Sequence, residues 1–438
     1  MKRKGRQWGI LWGLLLIATA ASAEDVILIQ NGTIVPVTGA AIPGGSLLIE
    51  DGKIVKIGPN IAAPEGAAVI DARGKFVYPG LVAVMTAVGV TGYPGAGNDT
   101  DEVGVSTPHM DPYDALNPED DSIEVTCVGG VTTVHTLSGT RSVINGKSIA
   151  LNLTGDLAED MVIHRYVAQI INLTAREENK YPSTIPGIVA FLRDKFDQAK
   201  QAAEKPAKAD GKAASEGQEG REGREESSGV SRRMEMEALI PVVTGKVPVI
   251  FITTDEVSVR KAIELIQEYR LKGIIQGGDG ILKYADRLAQ SRIPVLWGGT
   301  RALPERWEPY DKNYHTAAVL AEKDVLFAFD PGGRRPESRN TRNLPVPAAI
   351  SVAHGLSEDD ALRAMTINPA RILRIDDQVG SLEVGKTANV VIWTESPIQL
   401  RARVETVIIA GKVIPLTSLQ TRLYERYAKI VKERMTKK

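Results

Sequence analysis

Between residues 131 and 330 the chain repeats one pattern, a short apolar run followed by a stretch of helical spacing. The runs are Val131–His135, Val247–Thr254, Gly273–Gln276, Ile293–Trp297 and Val325–Asp330. Helical patterns follow at Val257–Tyr269, Ile281–Gln290 and His315–Ala321. Strands that alternate with helices reach their neighbours by crossovers, so the repeat predicts a parallel α/β sheet. A closed (β/α)8 barrel and an open doubly wound sheet both satisfy this periodicity. In a barrel, the residues that end the runs (His135, Thr254, Gln276, Trp297 and Asp330) lie at the C-terminal mouth, where sites are built.

The two ends read differently. Val26–Val35 contains Asn31-Gly32, and Ser46–Ile57 contains Asp51-Gly52. Both dipeptides signal hairpins, because a type I′ turn needs positive φ at its two central residues. The same texture returns only at Ala388–Trp393 and Val404–Ile414, which predicts one small β-sandwich built from both ends of the chain. The expected layout is 24–78 for the first part of the sandwich, 79–382 for the barrel and 383–415 for the second part. From about 200 to 233 the sequence is Ala, Glu, Lys, Gly, Ser and Gln with almost no large apolar residue. Such a segment buries too little surface to offset its ordering entropy, and is read as a disordered insertion. In 416–438, Leu423, Tyr427, Ile430, Val431 and Met435 follow helical spacing, as in a terminal helix docked on the body.

Lys2, Arg3, Lys4 and Arg6 precede an apolar stretch from Trp8 to Ala20 and the small residues Ala21-Ser22-Ala23, the layout of an export leader over 1–23. The apolar stretch is shorter than the ~20 residues that span a bilayer, so no stable membrane anchor is expected. An exported, periplasmic or extracellular protein follows from this reading. The single cysteine, Cys127, allows no intramolecular disulfide. With Lys+Arg 53 against Asp+Glu 54, the net charge of -1 gives no electrostatic case for nucleic acid.

Four stretches taken in order carry a resemblance. They are Val69-Ile70-Asp71-Ala72-Arg73-Gly74-Lys75 leading to Pro79-Gly80-Leu81, then Gly129-Gly130-Val131-Thr132-Thr133-Val134, then Ala361–Leu373, then Gly380–Lys386. With them the chain resembles the metal-dependent amidohydrolase superfamily, in particular its imidazolonepropionase-like exported branch. The resemblance implies a distorted TIM (β/α)8 barrel plus a β-sandwich from both chain ends. It also implies one or two divalent ions held by a His-x-His on the first barrel strand, since residues two apart on a strand face the same side. Here those positions are Met85 and Ala87, and neither can ligate a hard or borderline cation. The family's later ligand positions align with Asn152, with Ile252 and Thr254, and with Gly277. Only Asp330 matches the aspartate that, in the family, orients and deprotonates the attacking water.

None of the five histidines (His109, His135, His164, His315 and His354) stands at a ligand spacing from another. His135, ending a strand, is read as a hydrogen-bonded structural residue or as part of a pocket. The acidic group Asp111, Asp114, Glu119, Asp120 and Asp121 is read as a solvated loop, with a hard cation the alternative. Cys127 reads as a core thiol. Asp330 is open to a second role, capping the turn Pro331-Gly332-Gly333.

The resemblance implies a barrel whose metal ligands are missing, with Met85, Ala87, Asn152, Ile252, Thr254 and Gly277 expected to line a degenerate pocket. The expected function is a non-catalytic binding or assembly partner, in a homo-oligomer or a hetero-oligomer with an active homologue, with no cofactor. The alternatives are a divergent hydrolase of carbon-nitrogen bonds that uses Asp330 and a divalent ion such as Zn, and a small-molecule-binding protein.

Overall fold

A computed structural model describes residues 26–91, 100, 104–176, 181–204, 226–303, 309–332 and 340–436. The expected leader lies outside the described residues, as do residues 205–225 of the expected insertion.

The chain enters through five strands: β1 (Val26–Ile34), β2 (Ile42–Glu50), β3 (Lys53–Pro59), β4 (Ala68–Asp71) and β5 (Phe76–Pro79). Eight strands follow: β6 (Leu81–Thr86), β7 (Val131–Leu137), β8 (Ile144–Asn152), β9 (Val162–Asn172), β10 (Val249–Ile252), β11 (Gly273–Gly277), β12 (Val295–Trp297) and β13 (Phe327–Phe329). The chain then returns through β14 (Val390–Trp393), β15 (Val404–Ile409) and β16 (Lys412–Ile414). The strands from both ends share one sheet, in the order β16-β15-β14-β5-β1-β2-β3 with β4 beside β1. The join is the antiparallel pairing of β14 with β5.

Of the two expected hairpin turns, one forms. Asp51 and Gly52 both take positive φ, 48° and 74°, and connect β2 to β3. Asn31-Gly32 instead makes a bulge within β1: only Asn31 has positive φ, and the register with β2 shifts there. The cause is crowding from the residue after β4 and from β5, since a Cβ at Gly32 would lie 2.9 Å from Ala72 Cβ and 3.0 Å from Val77 Cγ2. Glycine is needed for close approach, and the strand runs on.

β6 to β13 form the second sheet, in chain order. Each pairs in parallel with its neighbour except β8, which runs antiparallel to both β7 and β9. The sheet curls into a nearly closed barrel, and the helix Ile367–Leu373 packs against both edge strands, β6 and β13. Alternate residues point in and out, as a pleated strand requires. Val82, Val84, Ile250, Ile252, Ile274, Leu296 and Ala328 fill the interior. Leu81, Ala83, Phe251, Ile275, Trp297 and Phe329 face the helical layer. Burial on both faces is why these segments read as unbroken apolar runs.

The helix Glu256–Tyr269 shows how the outer layer is specified. Asp255 accepts a hydrogen bond from Ser258 N at 2.8 Å and satisfies an orphan donor of the first turn. Arg270, at φ 56°, ends the helix. Val259, Ala262, Ile263 and Ile266, at helical spacing, are buried against the sheet. Each large side chain among them contributes about 1.5–3 kcal/mol.

The low-complexity segment is shorter than its composition implies. Residues 200–204 end the helix Ile185–Glu204, and residues 226–233 begin the helix Glu226–Val243. The first buries Ile188, Leu192, Phe196 and Ala199 on one face, so its core contacts reach almost to the segment's start. Lys195 Nζ meets Glu235 Oε2 at 2.6 Å and ties the two helices together.

Candidate functional site

In the described residues, the mouth of the barrel is where the resemblance would place ligands. On β6 the register with β7 breaks between Ala83 and Thr86, and Met85 takes a left-handed φ of 56°. Val84 and Met85 consequently both join the interior cluster, where strict alternation would admit one. A non-glycine residue in this conformation costs on the order of 1 kcal/mol, which the burial of Met85 offsets.

The Met85 amide points at His135, donating to its Nδ1 at 3.4 Å. His135 is fully buried; on β7 it alternates with Leu137 of the interior cluster and therefore faces inward. With Nδ1 accepting, the proton of the neutral ring sits on Nε2, which has no hydrogen-bond partner among the described residues. Burial alone pushes its pKa down to about 3. A ring held neutral in this tautomer offers a metal no free lone pair: one is taken by Met85, and the other nitrogen carries hydrogen.

On β11, Ile274 faces the interior, so Gln276 does also, and Gly277 faces away. A Cβ at Gly277 would lie 2.8 Å from the Ile281 and Thr253 side chains, leaving no space for a histidine. Gln276 instead reaches Asp330: its Nε2 donates to Asp330 Oδ2 at 2.9 Å. The other oxygen of Asp330 accepts from Gly332 N at 2.8 Å. Both carboxylate oxygens thus have protein donors, and Asp330 caps the turn that follows β13.

The remaining expected positions do not converge. Asn152, read as a mouth position, lies at the opposite end of the barrel. β8 runs backwards, so Asn152 pairs with Thr133 near the start of β7, and its Oδ1 accepts from Asn389 Nδ2 of the sandwich at 2.7 Å. Ile252 belongs to the interior cluster with Met85; Ala87 is buried outside that cluster. The amide of Thr254 donates to Ser258 Oγ at 3.1 Å, where the helix Glu256–Tyr269 begins. Of the six degenerate positions, Met85 and Ile252 belong to the interior apolar cluster.

In the acidic loop, Asp111 and Asp114 are paired with bases. Asp111 Oδ2 lies 3.2 Å from Arg165 Nε and 3.8 Å from Lys147 Nζ, and Arg165 stacks on the Tyr113 ring at 3.9 Å. Asp120 caps the helix Asp121–Cys127 through Ser122 N at 2.8 Å. Cys127 is buried, and desolvation pushes its thiol pKa up to about 12, far from a nucleophile's range. Among the described residues, no three His, Cys, Asp or Glu side chains come together as a metal would require. The donors that are present therefore do not fit the divalent ion of the family.

Two contacts escaped the sequence reading. Gln276 with Asp330 was within reach, because Ile274 and Gln276 share a strand face two residues apart. The approach of His315 to His354, with ring centroids 5.3 Å apart, was not, because 39 positions separate them. His315 spans His354 O at 2.8 Å and Asp311 Oδ2 at 3.2 Å, and so links two helices of the outer layer. Elsewhere, a cleft of about 550 Å³ opens where the barrel floor meets the sandwich. Val346, Ile350, Trp393, Ile398 and Leu400 line it with Arg342 and Arg403, a set without an acid or base for hydrolysis.

Residues 315–414 match the family model described as the amidohydrolase family. The chain is 26% identical over 433 residues to a dihydroorotase of Mycobacterium tuberculosis, covering 86% of this chain and 93% of that one. It is 24% identical over 396 residues to amidohydrolase tasK of Hapsidospora irregularis, covering 84% of this chain but 39% of the relative. An amidohydrolase structure from Thermotoga maritima superposes with a TM-score of 0.75 at 27% identity, over 89% of this chain and 99% of that chain.

Proposed function

From the premise that this chain has an amidohydrolase family segment on the amidohydrolase fold, we propose that its barrel serves binding or assembly and not metal-dependent hydrolysis. A hydrolase of this class needs a metal to generate hydroxide near neutral pH and to polarise the carbonyl. The observation that carries the reading is the donor set of the barrel: among the described residues no three His, Cys, Asp or Glu side chains come together as a metal would require, and Asp330 is held by Gln276 and Gly332.

The supporting pattern is spread around the barrel. Met85 fills the interior on the first strand, His135 offers no lone pair, and Gly277 leaves no room for a ligand. Fold similarity alone does not establish activity. The proposal includes export, on the layout of residues 1–23, and assembly with a homologue that has kept its ligands.

The test is turnover of cyclic amides, dihydroorotate and a hydantoin among them, by purified protein with added Zn or Mn, alongside its native mass with and without a catalytically competent homologue. No turnover together with a stable hetero-complex is the expected result. Metal-dependent turnover abolished by Asp330→Ala would establish the rival reading, a divergent carbon-nitrogen hydrolase, which the activities named for the relatives favour.

A further inference from the structure

We infer that the C-terminal helix Leu419–Thr436 pairs antiparallel with the same helix of a second copy of this chain. The inference stands apart from the reading of the barrel, because it concerns a surface that contains none of the mouth residues. The helix was expected to dock on the body, and it is attached at its first turn. There Arg422 grips Glu124 with two hydrogen bonds of 2.9 and 3.0 Å. Beyond that turn it presents an apolar stripe to solvent. Leu423, Tyr427, Val431 and Met435 recur every four residues, and Tyr424 and Ala428 lie beside them. Tyr424 and Met435 are each 75% exposed. Helices in proteins owe most of their stability to packing of an amphipathic face, and this face is uncovered.

The flanking charges identify the occupant. Glu425 and Lys432, seven residues apart, lie along one edge of the stripe, while Arg426 and Glu433 lie along the other. Each edge therefore carries an acid and a base, in opposite order along the chain. In an antiparallel two-fold pair an edge meets its own reversed copy. Glu425 then faces Lys432 of the second copy, and Arg426 faces Glu433. The same register sets Leu423 against Met435, Tyr427 against Val431, and Tyr424 against Arg434, where a ring and a cation attract. Apolar side chains meet apolar ones and each acid meets a base, with each contact made twice.

The antiparallel sense has two further advantages. It aligns the helix dipoles favourably. It also places the two bodies, each joined at the Leu419 end, at opposite ends of a rod about 27 Å long. A membrane surface gives Glu425 and Glu433 no basic partner, whereas the two-fold pair sets each against a base of the second copy, Lys432 and Arg426. One helix pair buries less than the ~800 Å² per partner of a standard interface, so association should be reversible, in the micromolar range.

Sedimentation velocity on the full chain over a hundredfold concentration range tests this. The expected mass rises from one chain to two. Tyr427→Glu with Val431→Glu holds it at one chain with an unchanged melting temperature, since both side chains are exposed. Glu425→Lys weakens association at least tenfold, and adding Lys432→Glu to the same chain restores it, because the reversed pair re-forms across the two-fold. A single-chain mass at every concentration overturns the inference, as does a dimer indifferent to the Tyr427 and Val431 changes. Failure of the double charge reversal to restore association overturns the antiparallel register. A monomer that binds phosphatidylglycerol vesicles through this helix assigns the stripe to a membrane surface and overturns the inference as well.

Discussion

Gln276 donates its side-chain amide to Asp330 across 2.9 Å, joining two strand ends at the barrel mouth through a hydrogen bond between buried groups. Gln276→Leu removes that donor and leaves the oxygen in a low-dielectric site. The expected loss is about 1–3 kcal/mol of stability, measured by urea unfolding. A variant as stable as the parent would mean that the contact does not hold Asp330.

His135 should make stability depend on pH. Its folded pKa, at about 3, lies below the ordinary 6.5, so unfolding at intermediate pH takes up a proton. Its stabilising effect is complete above pH 6.5 and is lost as pH falls from there toward 3. The slope approaches about 1.4 kcal/mol per pH unit. Unfolding free energies measured at pH 7.5 and pH 5 should differ less for His135→Leu than for the parent, whatever the absolute cost of the substitution. Equal pH slopes in the two proteins would show the ring to be solvated.

Returning histidine to the first strand should not return a metal. Position 85 is held at φ 56° inside an apolar cluster that position 87 does not join, so the pair is not a regular same-face pair. Met85→His with Ala87→His is expected to cost about 2–4 kcal/mol, from a lost core side chain and a buried polar ring. Its zinc content after dialysis should stay well below one equivalent. Stoichiometric zinc in the double variant would mean that the remaining ligands are closer to complete than their geometry indicates.

The seam between barrel and sandwich rests on Asn389. Its Nδ2 donates to Asn152 Oδ1 at 2.7 Å and to Thr133 Oγ1 at 3.1 Å, and its Oδ1 accepts from Ala410 N at 2.9 Å. Asn389→Leu strands these groups and should cost on the order of 3 kcal/mol. Calorimetry should record a lower melting temperature for the variant, and an unchanged one would show that water replaces the amide.

The alternation of strand and helix, and the β texture at both ends, were legible because burial on two faces leaves apolar runs that no neighbouring residue disguises. Asn31-Gly32 misled because the same dipeptide serves a turn or a close approach, and only the crowding by Ala72 decides. Asn152 was misplaced for a topological reason. The reversal of β8 depends on which strands pair, and nothing in Ile144–Asn152 encodes direction. Gly277 has no side chain to ligate with, and its outward direction depends on the pleat phase of β11, which Ile274 sets. The helical ends of the low-complexity segment were hidden because composition averages over a window, whereas the core contacts of Phe196 and Ala199 are specific.

The central claim is that this barrel does not hold the family's catalytic ion, and elemental analysis of the purified protein after equilibration with Zn and Mn tests it most directly. Well under one equivalent of any divalent metal per chain is expected, with no rise in melting temperature on adding it. Near one equivalent, retained through dialysis and lost in Asp330→Ala, would contradict the account.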